Sequence, residues 1–262
     1  MDTTFNPQAI MIEQANTRAR RIAWAKSAVL IGLGLYFTMI IVSGNLNNYI
    51  NMRFAWLSYL AAGLFFLLGA FSLYQNWRTR NAPPTLTMND PTHAAPSWGM
   101  IAIIAVPLVL GTLIPSQPLG ADAVGTIETN VGVANAAGAA ETFTIAPQNR
   151  NVLDWLRVFN TTEDYAALEG QPADVIGFIY REPSMNDDQF MVARFTISCC
   201  VADSNAIGLP VQWADTAALP AGEWVRVGGQ IEVGEFRGDQ MPVILADSVE
   251  VVEAPQNPYL YP

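Results

Sequence analysis

Residues 24–44 (WAKSAVLIGLGLYFTMIIVSG) and 54–74 (FAWLSYLAAGLFFLLGAFSLY) decide the reading of this chain. Each run is 21 residues long, and a helix of that length reaches about 30 Å at about 1.5 Å per residue, the thickness of a bilayer's hydrocarbon core. Both are expected to be membrane-spanning helices. A third apolar run, 98–115 (WGMIAIIAVPLVLGTLIP), has 18 residues, and Pro107 predicts a kink that packing against neighbouring helices can absorb. Three spans are therefore expected. A cleaved signal peptide is the alternative for the first run, but its apolar stretch exceeds the usual h-region and begins only after 23 residues.

Working outward, the basic residues nearest the spans set the orientation. Arg18, Arg20, Arg21 and Lys26 lie at the start of the first span, Arg78 and Arg80 follow the second, and Arg53 alone lies between them. Basic residues concentrate on the cytoplasmic side, so the N-terminus is expected there, and three spans then place the C-terminal half outside. Asn6-Pro7 has the pattern of a helix cap followed by a first-turn proline, which suits an interfacial helix leading into the first span; a frayed basic anchor is the plainer alternative. Between Ser27 and Gly44, Phe54 and Tyr74, and Gly99 and Pro115 there is no Asp, Glu, Lys, Arg or His. Ion and proton pathways usually place such groups in the bilayer, so the chain alone is a poor carrier. Gly32, Gly34, Gly63 and Gly69 are candidates for close helix contacts.

The 262 residues carry a net charge of −10, and that charge is unevenly spread. Residues 1–115 hold seven Lys/Arg and three Asp/Glu, net +4, whereas residues 116–262 hold six and twenty, net −14. A domain that acidic repels phosphate backbones, so nucleic acid is excluded as an expected partner. The single histidine, His93, falls in a polar linker between the second and third spans. No Ser-His-Asp triad or His-rich metal centre can be assembled in the acidic half, and neither an enzyme activity nor a cofactor is expected.

The expected organisation is a cytoplasmic segment at 1–23, a three-span region at 24–115, a Gly/Ala/Asn/Thr-rich spacer at 116–140 and an outer domain at 141–262. Within the outer domain, 142–146 (TFTIA) alternates like a short strand, 151–159 (NVLDWLRVF) has an Asn cap and helical apolar spacing, and 162–169 fits a second short helix closed by Gly170. Five strand-like runs follow at 174–181, 189–201, 207–213, 224–233 and 242–252. Turn clusters such as Arg237-Gly238-Asp239 separate them, and Gly177, Gly228-Gly229 and Gly234 fall where a small barrel must bend. The expected fold class is thus a three-span α-helical membrane region followed by an all-β, OB-like small barrel with one or two preceding helices.

Three features of the outer domain are candidates for chemistry. Cys199 and Cys200, the only cysteines, are adjacent; alternation through 189–201 points Cys199 to the core and Cys200 outward. Three readings stay open: a small buried hydrophobe beside an incidental neighbour, a soft-metal thiolate site, or a redox or intermolecular disulfide role. Adjacent Cα atoms lie about 3.8 Å apart, short of the usual 4.4–6.8 Å, so a bond between the two would be easily reduced. Glu182, Asp187 and Asp188 crowd one hairpin loop and offer oxygens to a cation, although without calcium-loop spacing a solvated turn fits better. The ending 254–262 (APQNPYLYP) reads as an extended segment, with Pro258, Tyr259, Tyr261 and Pro262 docking onto a partner or back onto the barrel.

Particular stretches, 193–211 (ARFTISCCVADSNAIGLPV), 174–180 (DVIGFIY), 224–230 (WVRVGGQ), 257–262 (NPYLYP) and 45–59 (NLNNYINMRFAWLSY), together with Ile114-Pro115, are similar to the YcgQ-like family of bacterial permease subunits. The SCCVAD segment is the most specific of these matches. The resemblance extends over nearly the whole chain and implies a membrane-anchored accessory protein acting with a separate multi-span permease. Some members carry a His-rich loop between the second and third spans that suggests metal handling; here that loop holds His93 alone. The expected function is an accessory subunit of a membrane permease in the bacterial plasma membrane, its outer barrel serving gating, substrate reception or assembly. The alternative is a membrane-anchored thiol redox or soft-metal protein using Cys199 and Cys200.

Overall fold

Hydropathy dominates the first half of the structure, a computed structural model that describes residues 7–79, 97–124, 142–183 and 185–261. Helix α1 (Pro7–Val42), α2 (Ala55–Arg78) and α3 (Trp98–Leu113) belong to one unit, Met1–Leu46 with Arg53–Ser116. Segments Thr17–Val42 and Met52–Arg78, 26 and 27 residues long, have the length and apolar character to cross a membrane. Helix α3 has 16 residues, about 24 Å at about 1.5 Å per residue, which is shorter than the expected run because the backbone leaves helical geometry at Ile114, one residue before Pro115. Ser97 caps it by accepting the Met100 N–H at 3.3 Å, and Pro107 lies within it. Asn6, His93 and residues 125–141 of the spacer lie outside the described residues.

Small and polar residues fasten these helices. A side chain at Gly69 would meet Ile31, one at Gly34 would meet the Phe66 ring, and one at Gly32 would meet Leu108 of α3. These three glycines therefore mark contacts within the chain, while Gly63 has open space beside it. Ser27, fully buried, shares a 2.8 Å hydrogen bond with Ser72 and accepts one from the Asn76 amide at 3.0 Å. Gly69→Leu is expected to separate α1 from α2, because the approaching group is rigid, β-branched Ile31 and its backbone. A loss of about 2 kcal/mol or more in denaturant unfolding in detergent would register it, and a neutral result would contradict the packing.

The second unit comprises Asn47–Met52 with Gln117–Pro262. Its sheet has six strands, β1 (Pro172–Tyr180), β2 (Gln189–Thr196), β3 (Asn205–Gln212), β4 (Trp224–Phe236), β5 (Asp239–Val251) and β6 (Tyr259–Leu260), in the order β1-β4-β5-β3-β2-β6, and β1 also pairs with β2. β1 lies beside β2 from Phe178↔Ala193 to Tyr180↔Met191, and β6 joins β2 in parallel at Phe195 and Thr196. Arg237 and Gly238, both with positive φ, make the two-residue β4–β5 turn, the geometry that matches strand twist in tight hairpins. The expected bulge falls at Gly228/Gly229, where a Cβ on Gly229 would collide with the Leu245 carbonyl.

Two short helices precede or accompany the sheet: α4 (Ala121–Val124) and α5 (Val152–Thr161). The expected capping box is present in α5: Asn151 accepts the N–H groups of Leu153 and Asp154 at 2.9 and 3.1 Å, and Asp154 accepts the Asn151 N–H at 3.1 Å. Trp155, Leu156 and Phe159 of α5 share a core with Val192, Leu209 and Val225 of the sheet. Residues 142–146 are not a strand. The Thr142 carbonyl accepts the Ile145 N–H at 3.1 Å in a local turn instead of entering a ladder. The expected second helix is a single 3-10 turn, Tyr165–Leu168, and Gly170 follows with φ +76°.

Candidate functional site

β2 ends five residues earlier than its composition suggests. Asp203 accepts the Ser198 N–H at 2.9 Å and the Cys199 N–H at 2.7 Å, and the Ile197 N–H goes to the Leu260 carbonyl at 3.0 Å. With those donors taken, the chain leaves the ladder and turns through Val201–Asp203 into β3. Alternation therefore stops at Ile197, which is buried, and Cys199 is exposed while Cys200 is half-buried. The core placement expected for Cys199 is corrected accordingly. The two Sγ atoms lie 3.7 Å apart. Hydrogen bonding to the Asp203 carboxylate and then to Cys200 holds the Cys199 thiol protonated, pushing its pKa up to about 11. Among the described residues no three of His, Cys, Asp and Glu gather to hold a metal ion.

Because neither thiol is in the core, Cys199→Ser and Cys200→Ser are each expected to change stability by about 0.5 kcal/mol or less in denaturant unfolding. A loss of several kcal/mol from either would return that side chain to the interior. Asp203 has a different signature. Partial desolvation pushes its pKa up, but the Cys199 thiol and the Cys199 and Ser198 N–H groups outweigh it and hold the carboxyl below its usual range. A depressed carboxylate adds stability that is full above the unfolded value near 4 and is lost as pH falls through the lower folded value. The drop in thermal midpoint between pH 5 and pH 3 should be smaller in Asp203→Asn; an unchanged drop would remove Asp203 from the acid response.

The loop Asn47–Met52 between α1 and α2 is bound to this turn. Asn51 N–H donates to the Cys199 carbonyl at 3.0 Å, Val201 N–H donates to the Tyr49 carbonyl at 3.0 Å, and the Asn51 amide donates to the Ser198 carbonyl at 2.9 Å. Ile50 and Cys200 form an antiparallel bridge. The C-terminal tail joins them. Tyr259, 2% exposed, donates its hydroxyl to the Asn48 carbonyl and accepts the Leu119 N–H, both at 3.0 Å, and Asn47 donates to the Gln256 carbonyl. One phenol thus ties the tail, the loop after α1 and the segment after α3.

Arg194 holds the tail from beneath. Nε and Nη2 donate to the carbonyls of Pro258 and Asn257 at 2.9 and 2.8 Å, Nη1 donates to the Ile176 carbonyl at 3.1 Å, and the guanidinium lies 5.2 Å from the Trp224 ring centre. It is 7% exposed, and burial lowers its pKa to about 10, with the neighbouring Tyr261 opposing the shift. At neutral pH it is still a cation. Sequence reasoning passed over this residue; its one signal is a lone arginine between Ala193 and Phe195 in a strand whose eight residues are all buried.

Of the tail residues proposed for docking, Pro258 and Tyr259 are buried within this unit, Tyr261 is half-buried, and Pro262 lies outside the described residues. The tail therefore lies back on its own domain. The carboxylates of the 182–188 loop are not gathered: Glu182 pairs with Arg237, and Asp188 accepts from the Gln212 amide at 2.9 Å. The assembled site is a clamp of four backbone segments. Its chemistry is positional, with a buried cation and a buried phenol at its centre.

Both the helical half and the C-terminal half of the chain match a described sequence family. The DUF1980 C-terminal domain matches residues 131–262 and the DUF1980 N-terminal domain matches residues 26–129. The chain belongs to the DUF1980 family. Two relatives show how far the likeness extends. A Streptococcus mutans protein, named as a proposed subunit of a two-component membrane permease complex, is 25% identical over 87% of this chain and 94% of its own length. The UPF0703 protein YcgQ of Bacillus subtilis is 23% identical over 89% of this chain and 97% of its own. The crystal structure of a small single-stranded DNA-binding protein from Streptomyces coelicolor aligns with 32% of this DUF1980 chain and 93% of its own, at 14% identity and a TM-score of 0.23, too low a score to carry an argument.

Proposed function

We propose that this protein is the accessory subunit of a two-part membrane permease, crossing the bacterial plasma membrane three times with its N-terminus inside and its C-terminal domain outside. The name of the S. mutans relative supports the assignment. The observation that carries the arrangement is that Asn47–Met52 belongs to the same unit as the C-terminal domain. If that loop leaves the membrane on one face after α1, the domain must emerge on the same face. Two crossings must then separate them, α2 and α3, so α3 acts as the third span although it is short; thinning of the bilayer or oligomeric packing accommodates such a helix. Arg18, Arg20, Arg21 and Lys26 favour the cytoplasm for the N-terminus.

The outer domain is an OB-like barrel in this reading. The pairings β1–β4, β4–β5, β5–β3, β3–β2 and β2–β1 return to their starting strand, which is the support for closure. With no Asp, Glu, Lys, Arg or His from Ser27 to Gly44, Phe54 to Tyr74 or Gly99 to Pro115, and a net charge of −14 over residues 116–262, the chain has no polar route of its own and a surface unsuited to nucleic acid. Its role is to assemble with and gate a larger permease, the clamp passing the domain's position to the α1–α2 loop. Purification in mild detergent should therefore yield a complex with a multi-span membrane protein, and the chain alone in liposomes should transport nothing. Protease added outside intact spheroplasts should digest the barrel and spare an N-terminal tag. Flux through the single chain, or a barrel protected while an external control is cut, would defeat the proposal.

A further inference from the structure

We propose that Cys199 and Cys200 form a thiol–disulfide exchange site whose oxidation loosens the α1–α2 loop from the outer domain. The chain has two cysteines, so the only intramolecular disulfide open to it joins these neighbours. Cys199 is exposed, Cys200 is half-buried, and the sulfurs stand 3.7 Å apart, leaving about 1.7 Å to close to a bond of about 2.0 Å. This inference stands apart from the permease reading and does not need it.

The reaction partner is a small disulfide, RSSR. Because hydrogen bonding to Asp203 holds the Cys199 thiol protonated, Cys200 attacks first, giving up its thiol proton to form a Cys200–SR mixed disulfide and expel RS⁻. Cys199 then loses its proton and attacks the Cys200 sulfur, expelling a second RS⁻. The two thiol protons end on the two leaving thiolates, so two protein thiols and RSSR become one ring disulfide and two RSH. The peptide inside that ring joins the Cys199 carbonyl to the Cys200 nitrogen. That carbonyl accepts the Asn51 N–H, and Cys200 itself bridges Ile50. Adjacent Cα atoms, about 3.8 Å apart, sit closer than an ordinary disulfide allows, so closing the ring must rotate this peptide. Rotation withdraws the acceptor from Asn51. The same closeness makes the ring easily reduced, as a reversible device requires.

The test uses the full chain in detergent equilibrated with glutathione at graded oxidised-to-reduced ratios. Intact mass should show two hydrogens lost together with no glutathione retained, and Cys199→Ser should instead hold one glutathione on Cys200. Hydrogen exchange at the Asn51 and Val201 amides should quicken about ten-fold on oxidation of the wild type and stay constant in a Cys199→Ser/Cys200→Ser variant. By linkage, Asn51→Ala, which removes the bond to the Ser198 carbonyl, should shift the equilibrium several-fold toward the ring. Wild-type protein that carries two glutathiones, forms disulfide-linked dimers or stays reduced at the most oxidising ratio would overturn the exchange site. A ring that forms with both amides unchanged would overturn its coupling to the loop.

Discussion

Arg194→Met is expected to lower the stability of the C-terminal domain by about 3–5 kcal/mol, the range for breaking a buried charge-assisted network and leaving its partners unsatisfied. Three backbone carbonyls, those of Ile176, Asn257 and Pro258, lose their donors at once, and Trp224 loses the cation on its ring. Methionine matches the volume of the stem, so the loss reports hydrogen bonding rather than a cavity. Arg194→Lys should recover less than half of it, because a single ammonium cannot reproduce the planar fork that reaches acceptors on both β1 and the tail. Denaturant unfolding of the full chain, with hydrogen exchange at the Ile197 amide as the local reporter of β6, measures both effects. A change below about 1 kcal/mol, or full rescue by lysine, would mean that the tail is held by its apolar contacts alone.

Tyr259→Ala should cost a similar amount, about 3–5 kcal/mol, as expected for truncating a buried aromatic. Its ring shares a core with Phe178, Phe195 and Ile197, and its hydroxyl ties Asn48 to Leu119. Tyr259→Phe separates the two contributions. It keeps the ring and removes the bridge, at about 1–3 kcal/mol, and should leave β6 in place while exchange at the Asn51 amide rises. Arg194→Met combined with Tyr259→Ala should cost less than the sum of the two, since either releases the same tail. Strict additivity would show that the cation and the phenol act independently. Removing 257–262 is accordingly expected to destabilise the domain directly, so weakened association with a partner after that deletion would follow from unfolding as much as from lost contact.

The two long helices, the capping box of α5, the β4–β5 turn and the Gly228/Gly229 bulge were all legible in the amino-acid sequence, because each follows from local rules: apolar length, cap chemistry, positive φ and the absence of a Cβ. The family resemblance was legible for a related reason, since it lies in contiguous residues such as Ser198 to Asp203. Tertiary structure decided what happens where distant segments compete for the same backbone groups. Alternation carried β2 through Cys200 on paper, yet the Asp203 carboxylate and the Leu260 carbonyl capture three successive N–H groups and turn the chain outward at Ser198. Residues 142–146 alternate like a strand but close a local turn, and a strand needs a neighbour that no single segment can specify. Beyond its apolar neighbours, Arg194 carries no sequence signal of its role, because the carbonyls of β1 and the tail that surround it lie far along the chain. The loop Asn47–Met52 reads as a simple connection between two apolar helices, and its place in the C-terminal domain depends on partners about 150 to 210 residues away in sequence. Such long-range hydrogen bonds leave no periodic trace in the chain, because their energy belongs to pairs of segments that folding alone brings together.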